Sequence, residues 1–356
     1  MKILHKYLVK EITINVLLVM LALIAMFSFF DLIQELDTLG KGSYGLGKVL
    51  LFVLLSAPGH VYEVMPVAVL VGCMVSLGQF SRYSELIILR VSGFSVSNIA
   101  VLLLKIGLVF TLITFLIGEL ITPISEKVAQ RMRIRATDSV IAQEFRSGLW
   151  VKDGNNFVNA EEVLPDTSLL NIHIYEFDQH AKLVKTRNAK RGEFVNGEWQ
   201  LTDVFETIFS ADSVQVNQLD RVNWQSLIRP ELLNVLLVLP EKMSATNLYS
   251  YINHLTMNKQ KTTRYEVALW SKMIYPLACL VMVILALPFG FVQQRATGAS
   301  TKIFLGIMLG VAYQILNRVF AHLGLLNDWS PLFSAVMPTI LFLTAGLMML
   351  YLVERR

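Results

Sequence analysis

Six long apolar segments divide the chain, three before and three after a central polar stretch. They cover approximately residues 12–30, 49–77, 97–121, 267–292, 303–321 and 329–353. A bilayer core about 30 Å thick requires roughly 20 apolar residues at a rise of 1.5 Å per residue. We therefore predict six transmembrane helices, with the second one interrupted by Pro58, Gly59 and Pro66.

The polar stretch between the third and fourth segments has the pattern of an all-β domain. Residues 171–177 alternate in character, and Asn196-Gly197 is a strong hairpin signal between two such runs. Many short antiparallel strands in one insert indicate a sandwich or a jelly roll. We expect an apolar interior to which either Ile172 or Ile174 contributes. Ser244 should then cap an amphipathic return helix that packs on the domain's own sheet.

These patterns define the fold class as an α-helical membrane protein with six transmembrane helices and a periplasmic, jelly-roll-like all-β domain inserted between helices 3 and 4. The predicted divisions are residues 1–122, with a cytoplasmic helix near residues 81–93, then 123–265, and finally 266–356. An even number of spans places both chain termini on the same side of the membrane.

Basic residues near the ends of the spans predict which side that is. The terminal side carries Lys2, Lys6, Lys10, Arg82, Arg90, Arg295, Lys302, Arg355 and Arg356, whereas the short opposite loops carry mainly Lys41 and Lys48. We therefore expect both termini in the cytoplasm. The β domain then lies outside the inner membrane, in the periplasm.

Composition agrees with a membrane protein, because 54% of the residues are hydrophobic and only 16% are charged, against roughly 25% charged in soluble domains. The net charge of +4 does not indicate a nucleic-acid partner, since the basic residues are dispersed among apolar runs. Cys73 and Cys279 both lie inside such runs, which favours packing over a disulfide or a metal site.

No arrangement of side chains points to an enzyme. Residues 42–48 match the start of a phosphate-binding loop, but Val49 occupies the Ser/Thr place and no strand precedes the segment. Nucleotide binding by this chain is therefore not expected, and no cofactor or metal is predicted. His60 and Glu63 lie three residues apart in the second span. They can form a proton relay or simply mark a solvated helix break.

Two basic segments remain as candidate binding sites. The first carries Lys127, Arg131, Arg133 and Arg135 just beyond the third span, where arginine can bind lipid phosphates or merely be solvated at a helix end. The second, residues 81–94, predicts a short amphipathic helix on the cytoplasmic side. Such a helix can insert into a partner ATPase or lie at the membrane interface with no further role.

Three segments are distinctive beside the order of spans and β domain: SELIILRVSGF at 84–94, GLWVKDGNNFV at 148–158 and RYEVALWSKMIYPLA at 264–278. In these features the chain resembles the LptF/LptG family, the permease subunits of the lipopolysaccharide export ABC transporter. The second segment favours one of the family's two subunit types. The resemblance also implies the inner membrane of a Gram-negative bacterium.

The resemblance further implies which residues contact partners and substrate. Coupling to the ATPase would involve Arg82, Ser84, Glu85, Arg90 and Gly93, and the first and fifth spans would face the partner permease and line the lipid cavity. Lipopolysaccharide would contact Phe27, Phe30, Lys41, Lys127, Arg131, Arg133, Arg135 and Arg318. The chain departs from the family pattern at Asp31 and Gly59, where related proteins carry lysine.

The family also implies an assembly with an LptF-type permease, an LptB-type ATPase dimer that uses ATP and Mg, a single-span LptC-type subunit and an LptA-type periplasmic bridge. We predict a non-catalytic permease that extracts lipopolysaccharide from the outer leaflet and passes it to that bridge. One alternative is a permease that transmits force to a periplasmic partner, distinguished by the absence of lipid between its spans. Another is a proton-driven carrier that needs no ATPase.

Overall fold

The computed structural model describes residues 2–85, 88, 91, 96–137, 148–164, 168–178, 180, 182–195, 197–210, 213–226, 240–258, 260–291 and 299–354. Within this part of the chain six helical segments are long and apolar enough to cross a membrane. A six-stranded antiparallel sheet lies between the third and fourth of them. A membrane protein with a β domain inserted between its third and fourth spans is therefore confirmed.

The helical elements before the sheet are α1 (Lys2–Leu36), α2 (Leu46–Arg82) and α3 (Val96–Leu116), which continues through a π-helical segment (Ile117–Ile121) into α4 (Thr122–Thr137). After the sheet follow a 3₁₀ turn (Pro240–Lys242), α5 (Ala245–Met257), α6 (Thr263–Ile274), a second 3₁₀ turn (Tyr275–Leu277), α7 (Ala278–Phe291), α8 (Ala299–Leu326) and α9 (Pro331–Glu354).

Helix α2 is continuous, which corrects the predicted interruption at its prolines. A proline inside a helix removes the backbone hydrogen bond to the carbonyl four residues earlier, yet α2 runs on through both prolines. The hydroxyl of Thr122 donates to the carbonyl of Pro58 over 3.2 Å. Near Pro66, the carbonyl of Glu63 accepts from Tyr275 Oη at 2.5 Å and from Gln314 Nε2 at 2.7 Å. Side chains of other elements therefore contact the α2 backbone beside both prolines.

The core of the helical bundle forms around α2, which contacts α1, α4, α7 and α8. Close approach depends on glycine at the contact points. A Cβ added at Gly72 would lie 2.6 Å from Val16 Cα on α1, and one added at Gly310 would lie 2.5 Å from a methyl group of Val67. Cys73 and Cys279 are free and buried in this core, as the packing interpretation predicted.

The described strands form one meander, with neighbours in the chain paired as neighbours in the sheet. They are β1 (Leu149–Asp153), β2 (Asn156–Val163), β3 (Leu169–Phe177), β4 (Leu183–Val195), β5 (Glu198–Phe209) and β6 (Val214–Trp224). The β4–β5 hairpin pairs Val195 with Glu198 around Gly197, as its sequence predicted, while Asn196 is outside the described residues. The described strands thus form a single sheet, whereas the predicted sandwich or jelly roll has two packed sheets.

An irregular row crosses this sheet and breaks the strict alternation of its buried positions. The strand pairing skips one residue on each strand at Glu161, Asn171, Lys190, Asp203 and Asp220, which we call the crease. Buried positions are therefore three residues apart across it in four strands, at Ala160 and Val163, Leu169 and Ile172, Ala189 and Gly192, and Leu201 and Val204. Each of these residues faces the corresponding residue of the neighbouring strand, so the strand register is the same on both sides of the crease.

One buried face results, with residues from all six strands. Ile172 and Ile174 both belong to it and are fully buried, so the choice between them as interior positions was unnecessary. Residues two apart on a strand point to the same face. The interior is apolar, and its Trp199 packs against Phe194 and Trp224.

Helix α5 begins as predicted, with Ser244 Oγ accepting from the Asn247 amide over 3.2 Å. Its buried face packs elsewhere than expected, because Leu248 joins a cluster with Met243 and Ala268 of α6. One contact with the sheet is made after the end of α5, where Asn258 Oδ1 accepts a hydrogen bond of 3.3 Å from the backbone amide of Gly154, which follows β1. The return helix therefore belongs mainly to the end of the helical bundle.

Candidate functional site

The four cations after the third span lie on helix α4 and not on a free helix end. On an α-helix, residues two apart point in very different directions, so alternate arginines cannot share one face. Arg135 is exposed, Lys127 and Arg131 are partly buried, and Lys41 is exposed in the loop before α2. Their side chains therefore do not form one uniform basic row.

Arg133 is held by contacts within the protein. Its Nε lies 3.3 Å from a carboxylate oxygen of the buried Glu35, and its guanidinium lies 5.5 Å from the ring centroid of Phe52. The same carboxylate accepts from Tyr44 Oη at 3.0 Å. Burial, together with the hydrogen bond to Glu35, raises the pKa of Tyr44. This cluster fastens the end of α1 to α4, so Arg133 has a structural partner.

The end of α1 carries the aromatic residues expected to contact lipid. Phe30 is exposed, whereas Phe27 stacks on the ring of His60 with centroids 5.4 Å apart. His60 Nε2 lies 2.5 Å from Asp31 Oδ2, across the α1–α2 contact. Asp31 and Gly59 are the two departures from the family pattern. Asp31 is thus paired with His60, the residue that follows Gly59. His60 contacts Asp31 and not Glu63 in the described structure.

A cavity of about 570 Å³ lies at the end of the bundle that adjoins the β domain, which we call the domain end. Residues of α2, α4, α6 and α8 and the first 3₁₀ turn line it, and Arg318 is among them. Tyr62, Val267, Ala268 and Leu325 give it an apolar wall. Its charged lining residues are Glu63, Glu241, Lys242, Arg264, Lys272 and Arg318, with His322 beside them.

Three contacts join the domain end to the segment that returns from the β domain. The Glu119 carboxylate in the π-helical segment accepts from the Ala245 amide at 2.9 and 3.0 Å, at the start of α5. An anion there is favoured by the helix dipole. Lys272 Nζ donates to the Met243 carbonyl, and Lys242 Nζ lies 3.0 Å from Glu126 Oε1. These bonds tie the returning chain to α4 and α6.

The predicted coupling segment follows α2 at the opposite end of the bundle. Arg82 and Ser84 are exposed there, and Glu85 Oε1 accepts from Tyr7 Oη over a long 3.4 Å. Ile88 and Val91 are 62% and 84% exposed, which leaves apolar side chains uncovered. Arg90 and Gly93 lie outside the described residues. The segment at 42–48 follows helix α1, and Lys48 Nζ donates to Ser43 Oγ at 2.8 Å.

Sequence reasoning singled out Arg318 and Glu63 but missed the other charged residues of the cavity. Glu241, Lys242 and Arg264 lie far from Glu63 in sequence, and only the fold brings them together. A partial signal existed, because Lys242 and Arg264 flank the return to the membrane. Among the described residues, no group of three His, Cys, Asp or Glu side chains is placed to hold a metal ion.

Comparison with known proteins supports one family over the whole chain. The model of the family "Lipopolysaccharide export system permease LptF/LptG" matches residues 6–352. The chain is 29% identical to the lipopolysaccharide export system permease protein LptG of Haemophilus influenzae, over 96% of both chains. It is also 29% identical to the protein of the same name from Escherichia coli K12, over 98% of both chains.

Proposed function

Because the chain belongs to the LptF/LptG family of lipopolysaccharide export permeases, we propose that it serves as the LptG-type subunit of that exporter. It is a multi-pass inner membrane protein with six apolar helices. In this proposal the termini are cytoplasmic and the β domain is periplasmic. The chain extracts lipopolysaccharide from the outer leaflet and passes it toward an LptA-type bridge.

The observation that carries the proposal is the exposure of apolar side chains on α1 and α8. Both helices pack on the central α2, yet Leu21 and Phe29 on α1 and Phe304 on α8 are each about 60% exposed. Exposed apolar faces of this extent bind lipid or another helix. An LptF-type partner facing α1 and α8 would enclose a cavity between the subunits, with acyl chains against Phe27 and Phe30.

Energy would come from a separate LptB-type ATPase dimer that uses ATP and Mg. The segment with Glu85, Ile88 and Val91 offers one carboxylate beside uncovered apolar side chains, which suits a groove on a partner. Arg82, Ser84, Arg90 and Gly93 would complete this contact. ATP binding can then narrow the cavity. It would expel lipid only if the narrowed state binds lipid less well.

The phosphates of lipopolysaccharide would bind at the outer cations. Arg135 and Lys41 are exposed, and Lys127, Arg131 and Arg318 complete the proposed set. Arginine binds phosphate through paired hydrogen bonds, which favours this role over simple solvation. Arg133, already paired with Glu35, would contribute chiefly by holding α4 in place.

Transmission of force to the β domain is a second function that the domain-end contacts favour. Glu119 and Lys272 join the helices to the returning chain through hydrogen bonds to backbone groups. Movement of α3 or α6 would therefore move α5. An LptC-type subunit and the bridge would receive this motion, together with lipid, through the β domain.

The experiment that tests lipid binding places a photo-crosslinker at the exposed position of Phe30 in the complete membrane assembly. Replacing Arg131 and Arg135 by alanine should reduce crosslinking to lipopolysaccharide several-fold, and more strongly at low salt, because exposed charges are screened. Arg133→Ala is the matched control, expected to lower thermal stability first. Unchanged crosslinking in the double variant would contradict a role for the cluster in binding.

A further inference from the structure

The domain-end cavity contains charged groups that no other side chain satisfies. Among the described residues, Arg264 and Arg318 take part in no ion pair or hydrogen bond, and neither do the carboxylates of Glu63 and Glu241. The other lining cations are engaged, Lys242 by Glu126 and Lys272 by the Met243 carbonyl. The cavity thus presents two uncommitted cations and two uncommitted anions.

This charge pattern fits a ligand that carries both signs. A phosphate can accept paired hydrogen bonds from arginine, and a primary ammonium can donate to carboxylates. A purely anionic ligand would meet repulsion from Glu63 and Glu241, and a purely cationic one would meet repulsion from the arginines. Glu63 is partly buried, whereas Arg264, Arg318 and Glu241 are exposed, so a bound zwitterion would replace water on charges that have no partner among the described residues.

The remaining lining suits a lipid. Val267 and Leu325 give an apolar wall next to the charged groups, and Asn317 adds a polar side chain that lacks a partner in the described structure. The volume of about 570 Å³ lies within the range of ligand sites. The cavity also lies at the domain end, where the helices leave the membrane in the proposed orientation, at the depth of lipid headgroups.

We propose that this cavity binds a phosphoethanolamine headgroup, with Arg264 and Arg318 on its phosphate and Glu63 and Glu241 on its ammonium. The inference goes beyond the proposed function, which assigns no zwitterionic ligand. The headgroup can belong to phosphatidylethanolamine or to a lipopolysaccharide that carries phosphoethanolamine. Both sources present the same chemistry, and the experiment separates them.

The test measures headgroup binding by the purified full chain in nanodiscs of phosphatidylcholine, using native mass spectrometry. Phosphatidylethanolamine should bind about tenfold more tightly than phosphatidylglycerol, which has the phosphate but no ammonium. Replacing Arg264 and Arg318 by glutamine should weaken binding of both lipids about tenfold. Replacing Glu63 and Glu241 by glutamine should abolish the preference, with phosphatidylglycerol bound at least as tightly as by the wild type because the repulsion is removed.

Matched controls come from an exposed ion pair outside the cavity. Lys261 and Asp328 lie 3.5 Å apart with side chains 86% and 71% exposed, so Lys261→Gln and Asp328→Asn should leave both affinities unchanged. A second arm compares lipopolysaccharide with and without phosphoethanolamine in the same nanodiscs. The inference is supported if either arm shows a preference for the phosphoethanolamine headgroup that depends on the carboxylates of Glu63 and Glu241. The arm that shows it identifies the source of the headgroup, phospholipid or lipopolysaccharide.

Equal binding of all headgroups in the wild-type chain would overturn the inference, as would a preference that survives loss of both carboxylates. The first result would mean that the arginines and carboxylates pair with each other in the membrane. Neither measurement involves ATP or the partner subunits. Failure of lipid export would therefore overturn the proposed function without affecting this result, and the converse also holds.

Discussion

At the scale of single residues, Gly72 permits the close contact of α1 with α2, because an added Cβ would lie 2.6 Å from Val16 Cα. We predict that Gly72→Ala forces the helices apart and costs about 1–3 kcal/mol, as overpacked cores do. Gly47, also on α2, has nothing within 4 Å of its added Cβ and serves as the control. Thermal unfolding in detergent should show a lower midpoint for Gly72→Ala alone. Equal midpoints would contradict the packing described.

A second residue-scale prediction concerns Glu206 in the sheet. Burial raises the pKa of its carboxyl, but hydrogen bonds from Arg187 and Lys185 outweigh burial and hold the pKa below its ordinary value of 4.5. A depressed pKa in the folded state adds stability above the unfolded pKa, and this stability is lost as pH falls through the folded pKa. Glu206→Gln should therefore cost roughly 1.5–3 kcal/mol at pH 7.

The measurement is urea unfolding of the full chain, followed by tryptophan fluorescence at pH 7 and at several values below 4.5. The difference between Glu206→Gln and the wild type should shrink as the pH falls. Glu193→Gln is the control, because Glu193 and Arg191 form an exposed pair at 2.8 Å, worth about 0–1 kcal/mol. A pH-independent difference would show that the ion pairs of Glu206 are not its cause.

At the scale of elements, the crease depends on residues in the left-handed backbone region. Asp203 has φ 54° and Asn171 has φ 49°, a region that β-branched residues avoid. We predict that Asp203→Val destabilises the sheet by about 1–2 kcal/mol, whereas Asp203→Gly leaves it unchanged or more stable. Asn217→Val on β6 is the control at an ordinary strand position. Urea midpoints rank the three variants, and equal stability of Asp203→Val and Asp203→Gly would contradict the account of the crease.

The elements also show how far the sequence could predict this fold. Helix positions followed from apolar length, and the β4–β5 turn followed from Asn196-Gly197, because both signals are local. The crease did not follow, since strict alternation was assumed along each strand and a row of residues aligned across several strands has no local sequence signal. The continuity of α2 was missed because its prolines were taken to interrupt the helix, and the side chains that contact its backbone there, Thr122, Tyr275 and Gln314, lie far away in sequence.

The same limit applies to the candidate site. The basic residues of α4 could be found from sequence, but the pairing of Arg133 with Glu35 depends on the contact between α1 and α4. The charged cavity joins Glu63 to Arg264 and Arg318, which are separated by about 200 residues or more along the chain. Residues that a fold brings together in this way leave no spacing pattern in a single sequence.

At the scale of the whole molecule, α2 is the central helix, and α1, α8 and α9 carry exposed apolar side chains. The β domain joins the helices at one end, and the predicted coupling segment lies at the other. In the proposed function, force applied at Glu85 would reach the lipid cavity through the packed helices. Loss of the Glu85 carboxylate should therefore uncouple the ATPase from lipid movement. Removing one partner of a buried charge pair costs about 3–5 kcal/mol, against about 0–1 kcal/mol for a solvated glutamate.

The most direct test of the central claim is transfer of lipopolysaccharide from proteoliposomes to a soluble LptA-type acceptor. The vesicles contain this chain with its LptF-type, LptB-type and LptC-type partners, and transfer is followed by photo-crosslinking on the acceptor. We expect transfer to require both ATP and this chain. Glu85→Ala should reduce this transfer, although lipid still binds the assembly. Transfer at the same rate without this chain, or none from the complete assembly with ATP, would contradict the central claim.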